Sequence, residues 1–209
     1  MVLYKTLSDR TYNLVLGGFV LYGLLINILT VLFCTPLFAT MNPVLFWLLL
    51  VLPFIGIACG RSTRLGIRIL AFHLIVVPFG PLMASILPAY AAEEVFLALV
   101  LTASITLCMI GISVFFPDFF LRLGGVLFLS LILVIIAEIV ALILGFHSSA
   151  FSVIGVLLFS LYIGFDWYRA QHHSKTLFSA IDCAIDLYLD ITNLFLDLLD
   201  LIDWSDLFD

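Results

Sequence analysis

The chain has 209 residues, of which 65% are hydrophobic and 11% are charged, with a formal net charge of −6 and a mean hydropathy of +1.31. Because soluble domains carry about 25% charged residues, this composition leaves too few polar groups to cover a soluble globule. It excludes a disordered chain, a nucleic-acid-binding protein, a disulfide-stapled secreted domain and a separate soluble catalytic domain, and it predicts an integral membrane protein.

Apolar runs long enough to cross a bilayer, about 20 residues each, follow one another along the whole chain. Short segments rich in proline, glycine or charged residues separate them. The sequence predicts seven spans, at about 12–35, 44–60, 67–88, 94–116, 123–146, 150–168 and 177–202. Runs this continuous lack the alternation of barrel strands, so we expect an all-α fold. We also expect one transmembrane domain over residues 1–209.

All eight basic residues fall on one side of this predicted topology. Lys5 and Arg10 precede the first span, and the others follow the second, fourth and sixth spans: Arg61, Arg64, Arg68, Arg122, Arg169 and Lys175. Basic residues concentrate in cytoplasmic loops. We therefore expect the N-terminus in the cytoplasm and, after seven spans, the C-terminus outside.

Carboxylates inside the predicted spans are candidate functional residues, because a charge that faces lipid is costly. Glu138 lies in the middle of the fifth span, and Asp166 lies near the inner end of the sixth. The last span carries a stripe of polar residues three or four positions apart: Asp182, Asp186, Asp190, Asn193, Asp197 and Asp200. At about 100° per residue, the stripe covers an arc of roughly 80°, so we expect it to face protein or water. A helix on the membrane surface is the alternative, although such helices are usually basic.

Aligned carboxylates are suited to hard cations. Aspartate oxygens favour Ca²⁺ over soft metals, and acidic rings select cations in pores. The sequence contains no EF-hand loop, so we expect binding of the weak, transient kind. Protons are the other candidate cargo, because two carboxylates that share a buried site do not both ionise easily.

Four segments form a further pattern: RTYNLVLGGFVLYG in the first span, HLIVVPFGPLMASI in the third, IGFDWYRAQ in the sixth and AIDLYLDITNLFLDLL in the seventh. With these segments the chain resembles the transmembrane Bax inhibitor motif family, and its short bacterial members in particular. The resemblance covers nearly the whole chain. It implies a multi-pass protein of the bacterial plasma membrane, with six helices wrapped around a central polar seventh helix.

The resemblance also implies a pH-sensitive calcium leak channel. By motif, Asp166 and Asp190 correspond to the family's gating pair and would contact Ca²⁺ transiently. An arginine at the inner end of the second span would latch onto this pair when the channel is closed; Arg61 fits that place, and Arg64 is the alternative. The remaining pore-lining candidates are Asp182, Asp186, Asn193, Asp197 and Glu138.

Two features depart from the family pattern. Phe165 precedes Asp166 where tyrosine is commoner, and the end of the last helix is acidic where many members turn basic. The first departure removes a phenolic hydrogen-bond donor. The second changes the electrostatics expected at the outer end of the pathway.

Other functional classes use the same carboxylates. A cation/proton exchanger would couple the two ions, whereas a leak would not. An intramembrane aspartyl protease is disfavoured because the GxGD element is absent: the local sequence is Leu187-Tyr188-Leu189-Asp190. An interaction protein that acts through partners has almost no exposed loops to use. We expect no enzymatic activity, no cofactor and no nucleic acid partner, and a monomer that contacts lipid, calcium ions and protons.

Overall fold

The computed structural model describes residues 6–60, 62–145 and 149–206. These residues form eight α-helices and one 3₁₀ turn (Leu87–Ala89), and they contain no strand. The helices are α1 (Asp9–Phe38), α2 (Pro43–Cys59), α3 (Leu65–Val76), α4 (Phe79–Ile86), α5 (Ala92–Phe115), α6 (Pro117–Leu144), α7 (Ser149–His172) and α8 (Leu177–Asp206). The all-helical prediction is confirmed.

Polar residues in the short connections begin several of these helices. The Ser8 hydroxyl accepts a hydrogen bond from the Thr11 amide at the start of α1, at 3.3 Å. Asn42 caps α2 in the same way, and Pro43 occupies the first helical position, where a missing N–H costs nothing. At α5, the Glu94 carboxylate accepts a hydrogen bond from the amide of Ala91, at 2.6 Å.

Five helical segments in the described part of the chain are long and apolar enough to cross a membrane. They are Asp9–Phe38, Leu65–Ala89, Ala92–Phe115, Pro117–Ala141 and Ala150–His172. The apolar helix α2 is shorter, with 17 residues, and α8 has the length but carries the polar stripe. Large apolar side chains such as Phe54, Leu107 and Phe128 are exposed. Lipid would cover such a surface, so the structure supports a multi-pass membrane protein.

The third predicted span is not one continuous helix. It breaks after Val76 and resumes at Phe79 as α4. Pro78 has no N–H to donate to the carbonyl of the preceding turn, and the Gly80 amide bonds to Val77 instead of Val76. The chain also differs from the prediction at residues 117–122, which were expected to connect two spans. This segment is helical because Pro117 can open a helix, and α5 and α6 are therefore separated by one residue.

The chain packs as two compact units. Unit 1 comprises Met1–Tyr90 and His173–Tyr188, and unit 2 comprises Ala91–His172 and Leu189–Asp209. In unit 1, α1 packs against α4 and α2 packs against α3; in unit 2, α7 packs against both α5 and α6. Helix α8 contributes its residues 177–188 to unit 1 and the rest to unit 2.

Helix α8 supplies buried side chains to both units. In unit 1, Ile181 and Tyr188 are fully buried with Tyr12 and Phe72. In unit 2, the buried core residues include Phe120, Ile163, Leu194 and Leu199. The helix that carries the stripe of carboxylates therefore also contributes buried apolar residues to each unit.

Candidate functional site

Two aspartates from α7 and α8 meet in unit 2. The side chains of Asp166 and Asp190 hydrogen-bond to each other, and the residues are only 4% and 6% exposed. Because a carboxylate only accepts hydrogen bonds, a bond between two carboxyl groups requires a proton on one of them. The structure thus brings together the two residues that the sequence predicted as the gating pair. Their role in gating stays a prediction.

A cation lies next to this pair. The Arg169 guanidinium, one turn after Asp166 on α7, forms an ion pair with it at 3.0 Å between Nη2 and Oδ1. One shared proton would leave one negative charge on the two carboxyl groups, and Arg169 lies where it would balance that charge. The guanidinium also lies 5.7 Å from the centroid of the Phe165 ring. Phenylalanine at this position therefore supports the arginine through its ring, although it has no phenolic hydroxyl.

Tyr162 is a further neighbour of the pair. It precedes Asp166 by one turn on α7 and lies within electrostatic range of both aspartates and of Arg169. Tyr162 was not among the residues predicted from the sequence. The signal that could have identified it is its position four residues before Asp166, which places both side chains on one face of the helix.

A second group of acidic residues lies further along α8, also in unit 2. The Ser152 hydroxyl on α7 donates a hydrogen bond to Asp200. The Asp197 carboxyl group packs against Gly155, in the space that a side chain there would fill. Glu138 on α6 lies within electrostatic range of Asp197. Three of the predicted carboxylates thus come together, but no group of three or more potential ligands in the described residues is arranged to hold a metal ion.

The remaining stripe residues have different surroundings. Asp182 is half-exposed in unit 1 and forms an ion pair with Arg68 on α3. Asp186 in unit 1 and Asn193 in unit 2 are partly buried on α8. The residues of the stripe therefore differ in their exposure and in the partners that they contact.

The two predicted latch residues have separate outcomes. Arg61 lies outside the described residues. Arg64 is exposed and caps the start of α3 with its backbone. In the sequence, Arg68 served only as a marker of topology, because nothing in a linear pattern pairs residue 68 with residue 182.

A polar cluster is buried in unit 1 where α3 breaks. The Asn27 side-chain amide donates a hydrogen bond to the Tyr188 hydroxyl, which donates to the Val76 carbonyl at 3.4 Å. The tyrosine hydroxyl takes the place of the Gly80 amide at the Val76 carbonyl, because that amide donates to the Val77 carbonyl instead. The absence of a side chain at Gly23 lets the tyrosine ring approach α1, since a Cβ there would lie 3.0 Å from a ring carbon.

Comparison with known proteins identifies the family. The chain matches the family described as "Inhibitor of apoptosis-promoting Bax1" over residues 5–206. The chain belongs to this family. Two relatives, each named only as an uncharacterized protein, come from two strains of Helicobacter pylori. Each is 38% identical over 86 residues, which is 39% of this chain and 35% of the relative. The match thus spans about a third of the length of these relatives.

Proposed function

We propose that this Bax inhibitor family protein is a pH-sensitive calcium leak channel of the bacterial plasma membrane. The observation that carries the proposal is the hydrogen bond between the carboxyl groups of Asp166 and Asp190 inside an apolar helical protein. A site that holds one exchangeable proton between two oxygen ligands responds to pH and offers the ligand type that Ca²⁺ prefers.

The proposed gating follows from the charge of this pair. With one shared proton the pair is balanced by Arg169, and it attracts further cations weakly. Loss of the proton when the latch is not engaged would add one negative charge and present two carboxylates to Ca²⁺. In the closed state Arg61 would hold the pair from the cytoplasmic side, with Arg64 as the alternative. Full protonation would release this latch because the pair would no longer attract the arginine.

The wider architecture is part of the same proposal. Six helical segments would surround α8, with the N-terminus in the cytoplasm and the C-terminus outside. The pathway would continue past Asp182, Asp186, Asn193, Asp197 and Glu138. The protein would act as a monomer with lipid, calcium ions and protons as its partners. It would need no cofactor and perform no enzymatic reaction.

Calcium flux in proteoliposomes tests the proposal. Purified protein is reconstituted with a calcium-sensitive dye inside the vesicles, and flux is recorded at a series of pH values from about pH 5 to pH 8. Asp166→Asn and Asp190→Asn should each change the pH dependence of the flux. Asp118→Asn is the matched control, because Asp118 is an exposed aspartate at the start of α6. Absence of flux at every pH, or equal pH profiles for all four proteins, contradicts the proposal.

The shared proton also favours a second candidate, a cation/proton exchanger. In an exchanger, each calcium ion that crosses moves protons in the opposite direction. A pH-sensitive dye in the same vesicles separates the two functions. Proton movement that depends on calcium and disappears in Asp190→Asn would favour the exchanger, whereas calcium flux without proton movement favours the leak.

A further inference from the structure

The start of α8 is attached to α3 by one arginine. In unit 1, the Arg68 guanidinium donates to the Asp182 carboxylate. It also donates to the Phe178 carbonyl at 3.4 Å, and it lies 4.5 Å from the centroid of the Phe178 ring. Three interactions therefore join a single side chain to the first two turns of α8.

The same guanidinium is also fixed on its own side. Its Nε donates to the Ser62 carbonyl at 2.6 Å, in the connection between α2 and α3. The Arg68 side chain is only 14% exposed. A buried charge of this kind is held by its partners, because moving it away leaves an uncompensated cation. Arg68 thus ties the α2–α3 connection, α3 and α8 together.

The geometry suits arginine and not lysine. The planar guanidinium spreads its donors over several directions and stacks on an aromatic ring, whereas an ammonium group is a compact point charge. Arg68 uses different nitrogens for Ser62 and for Asp182 while its face covers Phe178. A lysine would keep the charge but could not make all of these contacts at once.

We propose that Arg68 and Asp182 form an anchor that fixes the inner end of α8 and thereby limits calcium flux. The effect on flux rests on the proposed leak function; the anchoring of α8 does not. Asp182 lies eight residues before Asp190 on the same helix, about 12 Å along its axis. A displacement of the first turns of α8 would therefore be passed along a continuous helix to the carboxyl that meets Asp166. Arg68 acts as a positioning residue.

Two measurements on the same set of variants test the anchor. Hydrogen exchange followed by mass spectrometry reports the opening of residues 177–188 in detergent, and calcium efflux from proteoliposomes reports the leak. The variants are Arg68→Gln, Asp182→Asn, Arg68→Lys and the charge exchange Arg68→Asp/Asp182→Arg. Asp182→Asn should disturb folding least of these variants, because Asp182 is half-exposed. It tests the anchor if Arg68→Gln does not fold.

One control alters charge near the same end of α8 without touching the anchor. Asp9→Asn breaks the ion pair between Asp9 and Lys175, in which the Asp9 side chain is 81% exposed. This variant should behave like the wild type, since exposed ion pairs contribute little.

We expect Arg68→Gln and Asp182→Asn to speed exchange in residues 177–188 about tenfold and to raise calcium efflux. The exchange rate and the efflux of Arg68→Lys should lie between those of these variants and those of the wild type. The double variant Arg68→Asp/Asp182→Arg should bring both quantities part of the way back to the wild-type values. Unchanged hydrogen exchange would refute the anchor. If the wild type leaks and the variants show faster hydrogen exchange but the same efflux, the contact is structural only, and this result would also overturn the proposal. If the wild type does not leak, the proposed function fails, and the exchange data still decide whether the anchor exists.

Discussion

Replacing Tyr188 by phenylalanine removes one hydroxyl group from the buried cluster at the α3–α4 break and leaves the ring in place. The ring keeps its edge contact with Phe79, at 5.9 Å between centroids, and its approach to Gly23. The substitution therefore separates the hydrogen bonds of Tyr188 from its packing.

The expected cost follows from the two hydrogen bonds that are lost. Asn27 is 3% exposed, so its side-chain amide would lose its acceptor in a buried place. The bond to the Val76 carbonyl is long, at 3.4 Å, and contributes little. A buried donor without a partner costs about 1–3 kcal/mol, and hydrogen bonds measured within membranes average about 0.6 kcal/mol. We expect Tyr188→Phe to lower the free energy of unfolding by about 1–2 kcal/mol.

Equilibrium unfolding in mixed micelles measures this change. Tyr22→Phe is the matched control, because the Tyr22 hydroxyl bonds to His73 at 3.0 Å in a residue that is 43% exposed. Its loss should cost less than that of the Tyr188 hydroxyl. Asn27→Leu combined with Tyr188→Phe should cost less than the sum of the single changes, because no buried donor is then left alone. A Tyr188→Phe variant as stable as the wild type, or fully additive changes, would refute the reasoning.

Two further predictions concern unit 2. Gly155→Ala should lower the free energy of unfolding by about 1–3 kcal/mol, because its methyl group would displace the Asp197 carboxyl. Gly125 has open space around it, so Gly125→Ala should not destabilise the protein. The same unfolding assay compares the two variants. Arg169→Gln removes the cation beside Asp166, so the negative form of the pair is disfavoured and the pH profile of calcium flux should move to higher pH. An unmoved profile would mean that Arg169 does not balance the pair.

Composition and hydropathy were sufficient to predict an all-helical membrane protein and most of its helices. They failed where one residue changes the local backbone. Pro78 interrupts a run that is uniformly apolar, and the interruption shows only in the hydrogen bonds around it. At Pro117 the opposite occurs, since a residue expected in a connection starts a helix. Proline is compatible with a helix start and with a helix break, so the sequence around it does not distinguish the two.

Only part of the candidate site could be predicted from the sequence. Helical spacing placed the α8 carboxylates on one face, and the family motifs pointed to Asp166 and Asp190, which meet in the structure. Spacing along one helix does not show which side chain on another helix lies opposite. Arg68 was therefore treated as a marker of topology, although it is the partner of Asp182. Gly155 gave no signal at all, because its role is to leave room for Asp197.

The partners of the stripe explain how so acidic a helix is packed among apolar ones. Asp182 meets an arginine, Asp190 meets a second carboxyl, and Asp200 accepts from a serine. These contacts are of three kinds: an ion pair, a contact between two carboxyl groups and a hydrogen bond donated by a hydroxyl. On the proposed leak function, a calcium ion at Asp182 would have to displace the Arg68 guanidinium, whereas at Asp190 it would compete with the proton shared with Asp166 while Arg169 pairs with Asp166. This difference supports the proposals that pH and Ca²⁺ compete at the Asp166–Asp190 pair and that Asp182 holds the helix.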